Sequence, residues 1–168
     1  MAGGGGEIAG EGGSVADLGE WGVIAALKAR MPAGALTSVG IGDDSAVVAA
    51  PSGSVVAAVD MLIEGRHFRR EWSSAYDVGV KAAARSLADI AAMGAVNTAL
   101  LVALAAPGPL PARWAAELAE GLAAEAARAG AGVVGGDTAS ADVVTLSVTA
   151  LGDLQHRAPV LRSGENPL

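Results

Sequence analysis

The apolar residues of this chain come in short segments, each ended by a glycine, a proline or a polar residue. The longest uninterrupted apolar run, residues 99–106, is far shorter than the roughly 18 residues of a membrane-spanning helix. The chain is nevertheless 52% hydrophobic, with a mean hydropathy of +0.44, because alanine is abundant while aromatic residues make up only 3%. This segmentation indicates a soluble protein built from short helices and strands.

The first residues lack the features of a secretory signal. No Lys or Arg precedes Lys28 and no apolar stretch follows Met1, whereas a signal peptide has a basic start and an apolar core. We therefore expect a cytoplasmic protein that does not contact a membrane. The glycine-rich residues 1–13 are expected to form a flexible tail outside the folded domain.

The composition excludes several kinds of chemistry. The absence of cysteine rules out disulfides, thiolate nucleophiles and cysteine-ligated metals. Two histidines, His67 and His156, are too few for a multi-histidine metal centre. The net charge of −7 argues against nucleic acid as a partner, and an anionic substrate would need local arginines, backbone N–H groups or metal cations. The carboxylates are therefore the most informative side chains.

Hydrophobic periodicity and chain-breaking residues predict an α+β domain. The order of elements is α-β-β-α-β-α-β-β, which suits helices covering one face of a sheet. The predicted helices span 14–30, 75–93 and 111–129, and the predicted strands span 45–50, 55–59, 98–105, 132–134 and 143–152. The folded domain is predicted over residues 14–155, and residues 156–168 are expected to begin a linker to a further domain.

Acidic residues stand at four places where ordinary surface and turn roles fit them poorly. Asp43 and Asp44 follow Gly-Ile-Gly before a predicted strand, although on its own such a pair is typical of a turn. Asp60 lies between two apolar stretches, and Asp89 lies in the least polar part of its helix. Asp137 follows two glycines that would let a ligand approach the backbone. Since burying an unpaired carboxylate is costly, such residues need a metal ion or a hydrogen-bond partner.

Convergence of these carboxylates would require divalent cations. Two unit charges about 4 Å apart repel by roughly 4 kcal/mol at an effective dielectric constant of about 20. Hard oxygen ligands without His or Cys favour Mg²⁺ or Ca²⁺, and Mg²⁺ commonly shares its coordination sphere with substrate phosphates. Spacing in the sequence does not establish convergence, so the residues alone predict only a candidate acidic Mg²⁺ site.

Other nucleotide-binding and hydrolase motifs are absent. A Walker A loop needs glycine directly before lysine, but Lys28 follows Leu27 and Lys81 follows Val80. The pair of glycines at 40 and 42 lacks the third glycine of a dinucleotide-binding fingerprint. There is also no Gly-x-Ser-x-Gly segment, which excludes a nucleophilic serine of that type.

Six short segments carry these acidic residues and glycines in a defined order. They are LGEWG at 18–22, GIGDD at 40–44, DMLIEGRHF at 60–68, LADIAAMGA at 87–95, VGGDT at 134–138 and RSG at 162–164. Together they resemble the thiamine-monophosphate kinase family, of the superfamily that includes aminoimidazole ribonucleotide synthetase. The resemblance covers about residues 16–165. It implies the N-terminal domain fold of that superfamily, with a mainly antiparallel sheet, and a homodimer formed through that sheet.

The resemblance also implies an activity and a set of site residues. The activity is transfer of the γ-phosphoryl group of ATP to thiamine monophosphate, by direct in-line transfer with several Mg²⁺ ions and no phosphoenzyme. Metal ions and positioning suit this reaction, because both donor and acceptor phosphates are anionic. No side chain is assigned a covalent catalytic role. By motif, His67 would contact the thiamine phosphate, Gly136, Asp137 and Arg162 would bind ATP, and Asp44, Asp60, Asp89 and Asp137 would hold Mg²⁺, with Asp43 as a secondary candidate.

The chain departs from the family pattern in several places. Ala58 and Val59 stand where the family often has Ser/Thr-Thr, Ser86 stands where relatives carry Asn, and no arginine closely follows Thr138. Family members also continue into a second α/β domain that completes the ATP and thiamine pockets, so we expect this chain to be an N-terminal half. Two alternatives remain open: a non-catalytic dimerisation or regulatory module of the same fold, and another ATP-dependent synthetase of the superfamily.

Overall fold

The computed structural model describes residues 13–164. Within them the chain forms three helices and six strands, in the order α1 (Val15–Lys28), β1 (Thr37–Val39), β2 (Val47–Val48), β3 (Val56–Ile63), α2 (Ala75–Ala92), β4 (Val96–Ala106), α3 (Ala112–Arg128), β5 (Gly132–Ser140) and β6 (Thr145–Asp153). None of these helices combines the length and the hydropathy needed to cross a membrane.

The main sheet has four strands in the order β3-β6-β4-β5. Strand β6 runs antiparallel to both β3 and β4, whereas β4 and β5 are parallel and are joined by α3. Strands β1 and β2 form a separate two-stranded antiparallel ribbon. The prediction of an α+β fold with a mainly antiparallel sheet is therefore confirmed.

Helices α2 and α3 pack against each other and cover one face of the sheet. Alternate residues of β4, such as Leu100, Val102 and Leu104, are buried beneath them. The alternation continues on β3, where Leu62 is fully buried but Val59 and Met61 are 62% and 51% exposed. The second face of the sheet is therefore open, and the prediction that helices cover one face is confirmed.

Two glycines allow α2 and α3 to approach closely. A β-carbon on Gly79 would collide with the carbonyl of Leu118, and one on Gly121 would collide with the carbonyl of Tyr76. Neither helix could carry a larger residue at these positions without moving its backbone. This close approach places Leu118 and Leu122 of α3 beside the sheet, where they line the cavity described below.

Helix α1 is capped at its start and bent near its middle. The Ser14 side chain accepts a hydrogen bond from the Asp17 N–H group, and the Asp17 side chain accepts one from the Ser14 N–H group, which together form a capping box. Gly19 has φ +64°, a left-handed conformation that breaks the regular helix. The residues after this bend carry Ile24 and Leu27 towards α3 and the end of β5.

The predicted helices agree with the observed ones to within two residues at each end, but three strand predictions are wrong in extent. The strand predicted at 45–50 is only Val47–Val48, the one at 55–59 continues to Ile63, and the one at 132–134 continues to Ser140. Strand β3 passes through Asp60, which pairs with Val148 of β6 through the backbone and with Arg85 through its carboxylate. Strand β1 was not predicted, because three residues give too little periodicity to detect.

The predicted domain boundaries remain predictions. Of the predicted tail, residues 1–12 lie outside the described residues, as do residues 165–168 of the predicted linker. Within the linker region, the Val160 N–H group donates to the Met93 carbonyl over 2.9 Å, and Val160 Cγ2 lies close to Gly94. Val160 therefore lies against the C-terminal end of α2.

Candidate functional site

A cavity of about 420 Å³ lies between α1, α3 and the edge of the sheet formed by β5. Its walls include buried apolar side chains from α3, such as Leu118 and Leu122. Two of the four predicted metal ligands, Asp44 and Asp137, also line it and are exposed to solvent. The cavity is therefore apolar inside and acidic at its open side.

A second cavity of about 630 Å³ lies on the open face of the sheet, under the loop of residues 40–46. Ser147 and Thr149 of β6 line it, together with residues of that loop. Asp44, Gly136 and Asp137 border both cavities. The acidic pair is therefore accessible from two sides of the β5 edge.

Short-range hydrogen bonds set the conformation around these acids. An oxygen of Asp43 accepts the N–H group of Asp44 over 2.8 Å, and Asp137 Oδ1 accepts the N–H group of Thr138 over 2.8 Å. Gly42 has φ +119°, and the Lys28 side chain packs directly against it. The positive φ favours glycine at this turn, whereas the Lys28 ammonium group, which a β-carbon at Gly42 would meet, could move away.

The two glycines before Asp137 lie within β5 and not in a loop after it. A β-carbon on Gly136 would collide with the backbone of Val102 on β4, so this glycine is needed for strand pairing. A β-carbon on Gly135 would lie 3.1 Å from a methyl group of Leu101, which can move. Gly136 is also exposed and lines both cavities, so its predicted contact with ATP remains a prediction.

Asp60 and Asp89 lie on other elements. The Asp60 carboxylate accepts a hydrogen bond from Arg85 Nη2 over 3.1 Å, and its side chain is 19% exposed. Asp89 is exposed on α2, four residues after Arg85 and therefore on the same side of the helix. Neither residue lines the two cavities at the β5 edge.

Asp44 and Asp137 line the same two cavities, but the described residues contain no larger acidic cluster. Within residues 13–164, no group of three or more His, Cys, Asp or Glu side chains could hold a metal ion. Mg²⁺ is commonly bound by one or two carboxylates, with phosphate and water oxygens completing the octahedron. Asp44 and Asp137 are the two predicted ligands that line the same cavities, and the binding of Mg²⁺ by these two or by all four predicted ligands remains a prediction.

His67 lies on an exposed turn directly after β3. Its Nδ1 atom accepts a hydrogen bond from the Ile63 N–H group over 3.0 Å, which fixes the orientation of the ring. The neutral ring therefore carries its proton on Nε2, which is able to donate to an anion. The Lys81 ammonium group also binds the His67 carbonyl, which holds this turn against α2.

Glu64 holds the same turn and is not among the predicted site residues. One of its carboxylate oxygens accepts from Arg70 Nε over 2.5 Å, and the other accepts from the Val144 N–H group over 3.2 Å. In the sequence, the feature that could have indicated a role for Glu64 is that its carboxylate directly follows an apolar segment. The same feature drew attention to Asp60.

The remaining predicted site residue, Arg162, lies in an exposed turn near the end of the described residues. It is not among the residues that line the two cavities at the β5 edge. Its predicted contact with ATP remains a prediction.

Asp153, at the end of β6, is a buried carboxylate. Its carboxylate oxygens accept the N–H groups of Ser52 over 3.0 Å and of Gln155 over 2.6 Å. These hydrogen bonds favour the ionised form and hold the pKa of Asp153 below its usual range. The residue therefore ties the end of β6 to the turn before β3.

The fold of the chain is that of a known class of α+β domains. Residues 42–154 match the family described as AIR synthase related protein, N-terminal domain. The chain therefore belongs to the AIR synthase related family, and the expected fold family is confirmed.

Individual relatives narrow this class. The chain is 48% identical over 157 residues to the thiamine-monophosphate kinase of Mycobacterium tuberculosis, an alignment covering 94% of this chain and 47% of that protein. A solved thiamine-monophosphate kinase from Stenotrophomonas maltophilia K279a superposes with a TM-score of 0.63 at 34% identity, covering 77% of this chain and 39% of that one.

A further solved structure, AaThiL complexed with AMPPCP and TMP, gives a TM-score of 0.59 at 29% identity, covering 81% of this chain and 42% of that one. The resemblance to thiamine-monophosphate kinases found in the six sequence segments is thus confirmed. This chain spans about half the length of the curated relatives it matches.

Proposed function

We propose that this chain is the nucleotide- and magnesium-binding half of a thiamine-monophosphate kinase. The whole enzyme would transfer the γ-phosphoryl group of ATP to thiamine monophosphate and release thiamine diphosphate and ADP. The names of the relatives support this assignment, as does the solved relative complexed with AMPPCP and TMP. The observation on this chain that carries it is the cavity with apolar walls and two exposed carboxylates at its open side.

The lining of this cavity suits a nucleotide. Val102, Leu118 and Leu122 would exclude water and contact the flat base. The phosphates would then lie beside Asp44 and Asp137, which would hold Mg²⁺ between them. When bound, Mg²⁺ neutralises charge on the phosphate oxygens and orients them for in-line transfer.

The turn that carries His67 suits the acceptor substrate. His67 Nε2–H would donate to the phosphate of thiamine monophosphate, while the bond from Ile63 N–H to Nδ1 keeps that proton on the outer nitrogen. Glu64 and Lys81 would act as positioning residues, because they hold the turn without contacting the substrate. No covalent intermediate on the protein is needed, since both phosphates need only be brought into line.

The proposal is tested by calorimetric titration with a non-hydrolysable ATP analogue, with and without Mg²⁺ and then with thiamine monophosphate added. We expect Mg²⁺-dependent binding that Asp137→Asn weakens by about tenfold or more, because the variant loses a metal ligand. The control Asp142→Asn removes the same charge from an exposed loop and should bind like the wild type. Equal affinity in Asp137→Asn and wild type would refute the assignment of this site.

A second candidate function, a dimerisation or regulatory module, is favoured by the open face of the sheet. Val59 and Met61 of β3 are exposed on it, and Leu101 and Leu151 extend it across β4 and β6. We propose that two copies pair through this face around a two-fold axis, as homodimers commonly do. Dimerisation without any nucleotide binding would favour the module, whereas dimerisation with Mg²⁺-dependent binding suits the kinase half.

A further inference from the structure

Asp60 is sheltered by the helices and has a single charged partner. Asp60 lies on the same face of β3 as Ala58, the face towards α2, and its side chain is 19% exposed. Arg85 Nη2 donates to Asp60 Oδ1 over 3.1 Å, and the Arg85 side chain is 42% exposed. A carboxylate sheltered to this degree needs a neighbouring positive charge, and Arg85 supplies it.

The position of Arg85 is fixed by the residue that follows it. Ser86 is fully buried and donates its hydroxyl hydrogen to the Val148 carbonyl over 3.1 Å. Val148 on β6 is the register partner of Asp60 on β3. The hydrogen bond therefore holds this turn of α2 directly over the strand pair that carries Asp60, which brings Arg85 to its carboxylate.

Unlike Asp60, the acids at the β5 edge, Asp44 and Asp137, are not paired with an arginine among the described residues. In the part of the chain that the structure describes, neither Asp44 nor Asp137 forms an ion pair with a lysine or an arginine. The Lys28 side chain packs against Gly42 in the loop that carries Asp44, but no ion pair joins it to either acid, so within residues 13–164 a divalent cation has no ion pair to break there. At Asp60 the same cation meets a carboxylate that is already neutralised, and it is repelled by the guanidinium group.

We propose that Arg85 is a resident counter-ion of Asp60, which a divalent cation must displace before Asp60 can serve as its ligand. This inference rests on the proposed function, together with the prediction from the family resemblance that Asp60 is a further metal ligand. Its consequence is an order of binding, with the first Mg²⁺ at Asp44 and Asp137 and a later one at Asp60. The 42% exposure of the Arg85 side chain gives the guanidinium group room to leave.

The test is a titration of the chain with Mg²⁺ alone, followed by calorimetry and by the Mg²⁺-dependent rise in melting temperature. We expect Arg85→Ala to bind Mg²⁺ roughly fivefold more tightly than the wild type, because the competing cation is gone. The matched control is Arg113→Ala, which removes the same charge from an exposed position on α3 that has no ion pair within residues 13–164. This control should stay within about twofold of the wild type.

Two further variants keep the result interpretable. Arg85→Gln keeps most of the side-chain stem, so it separates loss of charge from loss of packing if Arg85→Ala folds poorly. In an Asp60→Asn background, the gain from Arg85→Ala should disappear, because the carboxylate over which the two cations compete is absent.

The outcomes separate this inference from the proposed function. Equal or weaker Mg²⁺ binding by Arg85→Ala and Arg85→Gln, with Mg²⁺-dependent nucleotide binding intact, overturns the counter-ion role alone. A gain that persists in the Asp60→Asn background also overturns it. If no form of the chain binds Mg²⁺ and nucleotide binding is independent of Mg²⁺, both the inference and the proposed function fail.

Discussion

Three sheltered carboxylates are stabilised by three different kinds of partner. Asp60 has the guanidinium group of Arg85, and Glu64 has both an arginine and a backbone N–H group. Asp153, which is 3% exposed, relies on the N–H groups of Ser52 and Gln155. Backbone donors cannot move away without unfolding a turn, whereas an arginine side chain can. Asp153 is therefore suited to a structural role and Asp60 to an exchangeable one.

The backbone donors around Asp153 predict a pH-dependent contribution to stability. Because its folded-state pKa lies below the unfolded value of about 4, the contribution is fully present above that value and is lost as pH falls through the folded-state pKa. We expect Asp153→Asn to melt below the wild type at pH 7, and the difference in melting temperature to shrink towards about pH 2.5.

Thermal unfolding followed by circular dichroism between about pH 7 and pH 2.5 checks this prediction. Asp17 and Glu125 also have lowered pKa values, through hydrogen bonds from Ser14 and Arg128 respectively. Both residues are present in the wild type and in Asp153→Asn, so their contributions cancel in the difference in melting temperature between the two proteins. A gap in melting temperature that stays constant across this range would contradict the role given to Asp153.

At the residue scale, the sequence reveals which carboxylates are unusual but not what neutralises them. Asp60 is conspicuous because a charge interrupts an apolar run, which is a local property. Its partner Arg85 lies 25 positions away, and they meet only because α2 folds back over β3. The buried state of Asp153 is hidden for the same reason, since Ser52 is separated from it by most of the domain.

At the scale of elements, the contact between α2 and α3 depends on glycine at two positions, one in each helix. Gly79 faces the Leu118 carbonyl, and Gly121 faces the Tyr76 carbonyl. Glycine is usually unfavourable inside a helix, by about 1 kcal/mol relative to alanine. The packing made possible by the close approach offsets this loss.

Gly121→Ala should therefore destabilise the fold, although alanine favours helices. The added methyl group would meet the Tyr76 backbone, which cannot rotate away, and we expect a loss of about 3 kcal/mol in the free energy of unfolding. Chemical denaturation monitored by circular dichroism measures it. As a control, Gly108→Ala adds a methyl group that has ordinary contact with Ala16, at 3.5 Å, and should change stability by less than about 0.5 kcal/mol. A neutral or stabilising Gly121→Ala would show that the helices can separate freely.

Helices are predicted well here and strands less well, for identifiable reasons. The helical segments are long and carry clear stop signals, such as Gly94 and Gly130, which have φ +77° and +76°. Strand β5 was expected to end at Val134 because two glycines follow it. It continues because Gly136 lies against the backbone of β4, a requirement that only the neighbouring strand imposes.

At the scale of the whole molecule, helices cover one face of the sheet and leave apolar side chains on the other. Val59 and Met61 of β3 are exposed on this open face, because side chains alternate along a strand and the intervening face, which includes Leu62, is turned towards the helices. Exposed apolar patches of this kind are typical of interaction surfaces. The sequence resemblance implied a dimer through this sheet, and the open face supports that proposal.

Val59→Asp should weaken self-association. A charge in the middle of a paired apolar face would have to be desolvated, so we expect the dimer dissociation constant to rise at least tenfold. Analytical ultracentrifugation over a range of protein concentrations measures it. Val143→Asp places the same charge at an exposed valine before β6 and should associate like the wild type. If both variants and the wild type remain monomeric at every concentration, the proposed dimer is wrong.

The strand order also has a consequence for how this domain folds during synthesis. Within the main sheet β3 pairs only with β6, and β6 is the last strand in the described part of the chain. Strands β4 and β5, with α3 between them, are close in sequence and can assemble early, whereas the pairing of β3 must wait for a distant partner. An emerging chain therefore carries an unpaired β3 edge until β6 leaves the ribosome. Chaperones that bind extended apolar segments would meet Val59 and Met61 during that interval.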